Sequence, residues 1–207
     1  MLIWLVPLCT VGGAVAGWLC APLASSYFEQ PIRATRPGIA VTTAVAFGAL
    51  AWRFSGRADL PAYLYLAVVG ALLAFIDVAV KRLPDPFTLP SYLAGLALLS
   101  GAALLGGHPM RLAHALTGLA VLWALYALQH FFAPGAIGWG DVKLSGVLGL
   151  YLGWLGAQAW WLGTLAGFVL GGLYAAGALI TRRASRKSEI PFGPFMLAGA
   201  LVGILAG

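Results

Sequence analysis

Two aspartates, Asp77 and Asp141, each lie against an apolar run long enough to cross a bilayer, in LLAFIDVAVKRLPD and GAIGWGDVKLSGVLGL. Only six residues of the 207 are acidic, so these two placements carry weight. A carboxylate in or beside hydrocarbon is costly unless paired, hydrated or protonated, and it marks a functional site by default. Taken alone, Asp77 reads as an ion pair with Lys81, one helical turn on. Asp141 alone reads as an N-cap near a helix start, where the macrodipole favours the ionised form. An N-cap does not account for the Gly138-Trp139-Gly140 that precedes it. Paired glycines permit left-handed or tightly bent backbone and close approach of another chain. Together the two acids fit a water-activating pair, one ionised as base and one protonated as acid, because like charges at close range do not both ionise cheaply. The dipole argument makes Asp141 the base and the more buried Asp77 the acid.

These side chains must be held by membrane helices. Hydrophobic residues make up 61% of the chain and charged residues 9%, with a mean hydropathy of +0.93. A soluble domain of this size exposes too much surface to hide that composition, so lipid is the solvent. The segments lack the ten-residue alternation of a barrel, and the 28 glycines suit close helix contact in lipid. The expected fold is all-α, a polytopic bundle of about eight transmembrane helices. Apolar segments run over 2–24, 38–53, 61–80, 90–107, 112–133, 141–156, 158–180 and 191–207. The second and sixth are the shortest, and the sixth and seventh meet at Gly156 with almost no charge between them. Pro84 and Pro86 are expected to end the third helix, which leaves Asp85 in a loop.

Alternate connections hold very different amounts of charge. The first, third, fifth and seventh contain Arg33 and Arg36, Lys81 and Arg82, Lys143, and the run Arg182, Arg183, Arg186 and Lys187. That is nine of the twelve basic residues; Arg53, Arg57 and Arg111 lie in the others. The bias puts the odd connections in the cytoplasm and both termini outside. Asp77 and Asp141 then share the cytoplasmic face. The net charge of +6 is topological on this reading, with no basic face for nucleic acid. The N-terminal run reads as a retained helix, since no charged region precedes it. Cys9 and Cys20 have no metal-ligand spacing and read as apolar packing. His108, His114 and His130 read as interfacial or hydrogen-bonded groups, and the tryptophans near segment ends as interfacial anchors. No metal or cofactor site is expected.

The stretches IDVAVKRLPDPFT, GWGDVKL and IPFGPF, in that order, resemble those of type IV prepilin peptidases, the bacterial GxGD intramembrane aspartyl proteases. The resemblance covers roughly residues 60–207. It implies that Asp77 and Asp141 are catalytic, and that the leader of a prepilin or pseudopilin precursor is cut at the cytoplasmic face of the inner membrane. Asp85 is the second acid of the first motif. Gly138 and Gly140 belong to the second, with Lys143 two residues beyond the aspartate, placed to steer its charge state or to snorkel. Pro191, Phe192, Gly193 and Pro194 make an irregular helix start that the resemblance sets beside the active site; a simple helix start is the alternative. The whole chain reads as one membrane-embedded peptidase domain, with two N-terminal helices (1–59) and a six-helix catalytic core (60–207).

One departure has a chemical consequence. Many members carry a cysteine-rich insertion after the first helix and methylate the new N-terminus with S-adenosylmethionine. Here that connection, about Ser25–Pro37, has no cysteine, so a peptidase-only enzyme is expected. The rival class is a proton-coupled transporter, since intramembrane aspartates and broken helices also mark ion paths. No internal repeat is apparent, and both acids fall near one face. Oligomeric state is not legible.

Overall fold

The computed structural model describes residues 4–28, 35–133, 137–182 and 190–207. Arg33, Arg183, Arg186 and Lys187, which weigh in the charge count, lie outside the described residues, as does most of the first connection. The described residues form eight helices and no strands: α1 (Leu5–Ser25), α2 (Thr35–Arg53), α3 (Leu60–Val80), α4 (Asp85–Gly106), α5 (Met110–Phe132), α6 (Trp139–Leu155), α7 (Ala157–Ile180) and α8 (Gly193–Ala206). The protein is a polytopic helical membrane bundle. Five helices (α1, α3, α4, α5 and α7) are long and apolar enough to cross a bilayer on their own. Large apolar side chains face outward, among them Leu8, Leu19, Leu104, Leu173 and Ile180. Such a surface is compatible only with a surrounding apolar phase.

The helices associate as antiparallel hairpins, α1 with α2, α5 with α6 and α7 with α8, and glycine sets each contact. A Cβ on Gly149 would lie 2.5 Å from the Gly118 carbonyl oxygen, and one on Gly153 2.6 Å from the His114 carbonyl oxygen. Between α7 and α8, Gly163, Gly167, Gly199 and Gly203 bring the backbones together in the same way. Without a hydrophobic driving force between helices in lipid, this close packing is what holds them. Gly149→Val should therefore lower stability by about 1–3 kcal/mol or more. Gly172→Val, where a Cβ meets nothing within 4 Å, should leave the unfolding temperature in detergent nearly unchanged.

α6 is the centre of the bundle. Residues Leu144–Trp154 are buried without interruption, and the helix is touched by α4, α5, α7 and α8. The segment with one of the weakest spanning signals is thus the one most enclosed by protein. α6 and α7 are separate helices: Gly156 has φ +112°, a conformation that residues with a Cβ rarely adopt.

Two expectations about α3 and α4 need correction. α3 is not stopped by the prolines. It ends when Lys81 takes a left-handed conformation (φ 52°) and its N–H donates to the Asp77 carbonyl oxygen. Pro84 is instead the residue before α4, and Pro86 lies in its first turn, so α4 starts at Asp85 rather than near residue 90. A missing N–H costs nothing where no intrahelical partner exists. Asp85 consequently opens a helix and does not sit in a loop.

Candidate active site

Asp77 lies in the last turn of α3 and is 4% exposed. Its Oδ2 accepts a hydrogen bond from the backbone N–H of Gly193, at 2.9 Å, across 116 residues of sequence. Gly193 is the first residue of α8, with Phe192 before it and Pro194 immediately after. The IPFGPF stretch is therefore a helix start and also the wall of the Asp77 site. An α8 N-terminus aimed at Asp77 also provides positive dipole to that carboxyl. A Cβ on Gly193 would lie 2.8 Å from Asp77 Oδ2, so the glycine is what permits the approach. Pro191 lies in the irregular segment leading into α8.

No ion pair joins Asp77 to Lys81 among the described residues; Lys81 faces outward. The simple i,i+4 reading of Asp77 falls with it.

Asp141 is in the first turn of α6, three residues inside the Gly138 cap, and half-buried. Its Oδ2 accepts from the Gly138 N–H at 3.1 Å, satisfying one orphan donor of the helix start. It is not itself the N-cap. Because both carboxyls now face helix N-termini, the dipole no longer separates base from acid. Gly138 has φ −71° and ψ 151°, ordinary extended backbone. The left-handed freedom expected of the glycine pair is not used. Their role is space: a Cβ on Gly138 would meet Asp141 Oδ2 at 3.2 Å, and one on Gly140 would meet Leu83 Cβ at 3.0 Å.

Leu83 links the three motifs. It is buried against Gly140 on one side, and its Cδ2 is the next neighbour of a Gly193 Cβ after the Asp77 carboxylate. Asp77 and Asp141 lie close enough for their charges to interact.

Asp85 and Lys143 form an ion pair, Nζ to Oδ1 2.6 Å, bridging the first turn of α4 and the second of α6. The Lys143 carbonyl oxygen also accepts from the Tyr92 hydroxyl at 2.5 Å. Lys143 is thus committed to Asp85 and is not free to snorkel. With Asp85 51% exposed, the pair contributes about 1 kcal/mol or less. Asp85→Asn should therefore lower stability by about 1 kcal/mol or less, measured as the unfolding temperature in detergent.

Two residues of α5 lie beside the site: Tyr126 has no signal in the sequence, and His130 only that of a hydrogen-bonded or interfacial group. Tyr126 of α5 is buried, with its ring 5.4 Å from Phe168 and 6.5 Å from Phe192, and its phenol interacts electrostatically with Asp141. His130 Nδ1 hydrogen-bonds the Ile137 carbonyl oxygen at 2.8 Å, and its ring lies 5.3 Å from Trp139. It fixes the approach to the Gly-Trp-Gly-Asp turn. Both sit on an otherwise unremarkable apolar helix, where only the fold reveals their neighbours. No group of three His, Cys, Asp or Glu able to hold a metal occurs among the described residues.

Comparison with known proteins bears on this site. The sequence signature described as the type IV leader peptidase family matches residues 64–176, which include both aspartates. The chain is 33% identical over 182 residues to a prepilin leader peptidase/N-methyltransferase of Aeromonas hydrophila, covering 86% of this chain and 61% of that protein. A protein of the same name from Burkholderia pseudomallei is 33% identical over 216 residues, covering 95% of this chain and 65% of the relative. One from Bacillus subtilis is 31% identical over 181 residues, covering 83% and 66%. The chain thus spans somewhat under two thirds of the length of such relatives. No solved structure gives a significant match.

Proposed function

The chain belongs to the type IV leader peptidase family, and on that premise we propose that it is an intramembrane aspartyl endopeptidase that removes the leader of prepilin-like or pseudopilin precursors. The observation that carries this reading is the convergence of three sequence-distant motifs. Gly193 donates to Asp77, Leu83 packs against Gly140, and Asp77 and Asp141 interact through their charges.

In the proposed reaction, a water held between the two carboxyls loses a proton to the ionised one as its oxygen bonds the scissile carbonyl carbon. The protonated carboxyl donates to the carbonyl oxygen as charge develops there. Collapse of the tetrahedral intermediate breaks the C–N bond, and a carboxyl proton passes to the leaving amine.

The charge distribution supports an orientation with both aspartates at the cytoplasmic face of the inner membrane. Every residue placed at the site comes from α3 to α8 or the links between them, which supports residues 60–207 as the catalytic core, with α1 and α2 as an added hairpin. The short first connection without cysteine supports peptidase activity alone.

Incubation of purified protein in lipid vesicles with a prepilin tests the reading. A product shortened by its basic leader supports it, and an intact precursor under conditions where a full-length relative cleaves would refute it. Adding S-adenosylmethionine to the same reaction should give an unmethylated N-terminus by mass spectrometry; a mass gain of one methyl group would refute the peptidase-only form.

A further inference from the structure

At the end of the bundle remote from Asp77 and Asp141, a polar cavity of about 460 Å³ opens where the α2–α3 connection, the α4–α5 connection and the end of α6 meet. Gly56, Arg57, Asp59, His108, Arg111 and Trp154 line it. Asp59 is 3% exposed. Its oxygens are taken by Arg57 Nε at 3.0 Å, a second Arg57 nitrogen at 2.6 Å and Trp154 Nε1 at 2.9 Å. The one acid in the cavity is therefore neutralised and hydrogen-bonded, and it compensates Arg57 alone.

Arg111 is left over. It is half-buried, close enough to influence the buried Tyr63 electrostatically, and its guanidinium has no ion-pair or hydrogen-bond partner among the described residues. A guanidinium offers five donors in a fork that matches phosphate oxygens, and this one faces the cavity with those donors free of protein acceptors among the described residues. The surrounding charge is also concentrated. The guanidiniums of Arg53 and Arg57 lie 5.4 and 4.7 Å from the Phe54 ring. With Arg111, these are the three basic residues that the charge count leaves on the side of the membrane it depletes. All three gather at this end of the bundle.

The lip of the cavity is apolar and faces outward. Leu105 lines the cavity and is 82% exposed; Leu104 and Met110 beside it are 85% and 69% exposed. Cationic donors under an apolar lip match a headgroup phosphate with acyl chains attached, and a free phosphate would leave the lip uncovered.

We propose that this cavity is a binding site for the phosphodiester of an anionic phospholipid, held by Arg111 with His108 as second donor, with the lipid chains lying over Leu104 and Leu105. The site lies at the opposite end of the bundle from the two aspartates and does not depend on their role.

Native mass spectrometry of the detergent-released protein, titrated with phosphatidylglycerol or phosphatidylcholine, tests this. Phosphatidylglycerol should be retained about five- to tenfold more tightly. Arg111→Gln should abolish the preference, and Arg36→Gln, on an exposed residue at the other end of the bundle, should leave it intact. Circular dichroism on each variant confirms that the helices are retained. His108→Gln, which removes a donor without touching the arginine, should weaken the preference and gives a second reading if Arg111→Gln does not fold. Equal retention of the two lipids, an unchanged preference in both cavity variants, or binding of inorganic phosphate that phosphatidylglycerol does not displace would each overturn the assignment.

Discussion

Replacing Asp77 or Asp141 by Asn should each reduce leader cleavage by about 10²–10⁴-fold or more while leaving the amount of protein in the membrane unchanged. Asn keeps the shape and the acceptor oxygen. The Gly193 N–H still has a partner at position 77 and the Gly138 N–H one at position 141. What Asn lacks is a proton that can be taken and returned. Because the two carboxyls are proposed to act as one unit, the double variant should be no slower than either single one. Initial rates on a purified prepilin in vesicles measure all three. Cleavage within tenfold of the unsubstituted protein by either single variant would remove that aspartate from the mechanism.

Gly193→Ala is expected to act almost as strongly through position alone. A methyl group there would stand 2.8 Å from Asp77 Oδ2 and 3.3 Å from the Leu83 side chain. Leu83 is already pinned against Gly140, so the carboxyl is the group that must yield. A displacement of about 1 Å in reacting groups costs about 10²-fold in rate. The loss should appear in kcat with little change in KM, since the substrate's contacts elsewhere are untouched. Gly172→Ala, in open space on α7, is the matched control for adding a methyl group to a membrane helix.

Much of the fold is legible because lipid demands long apolar runs, and each of the eight expected segments overlaps one helix. The boundaries drifted where local chemistry has two meanings. Pro84 and Pro86 stop a helix in one context and start one in another, and the left-handed Lys81 that ends α3 has no signature in a lysine codeable from sequence alone. The aspartates stood out because charge is rare here. Their surroundings did not. The Asp85–Lys143 pair spans 58 residues and the Asp77–Gly193 hydrogen bond 116, so neither appears in any local pattern. Of the two roles the sequence offers for Gly138 and Gly140, the structure uses close approach and not left-handed freedom, and the groups that approach are a carboxylate and a leucine. Tyr126 has no local signature, and the hydrogen bond expected of His130 is made to the Ile137 carbonyl oxygen.

The central claim is that Asp77 and Asp141 meet in the membrane-embedded protein, and cross-linking measures it most directly. In a background with Cys9→Ala and Cys20→Ala, Asp77→Cys and Asp141→Cys are combined, and a protease site is placed in the α4–α5 connection between them. After treatment with a short bismaleimide and proteolysis, the two fragments should migrate as one species. The pair Asp85→Cys with Lys143→Cys, at a contact of 2.6 Å, serves as the positive control. Fragments that separate for the 77/141 pair, while each cysteine is singly alkylated and the control pair stays joined, would contradict the account.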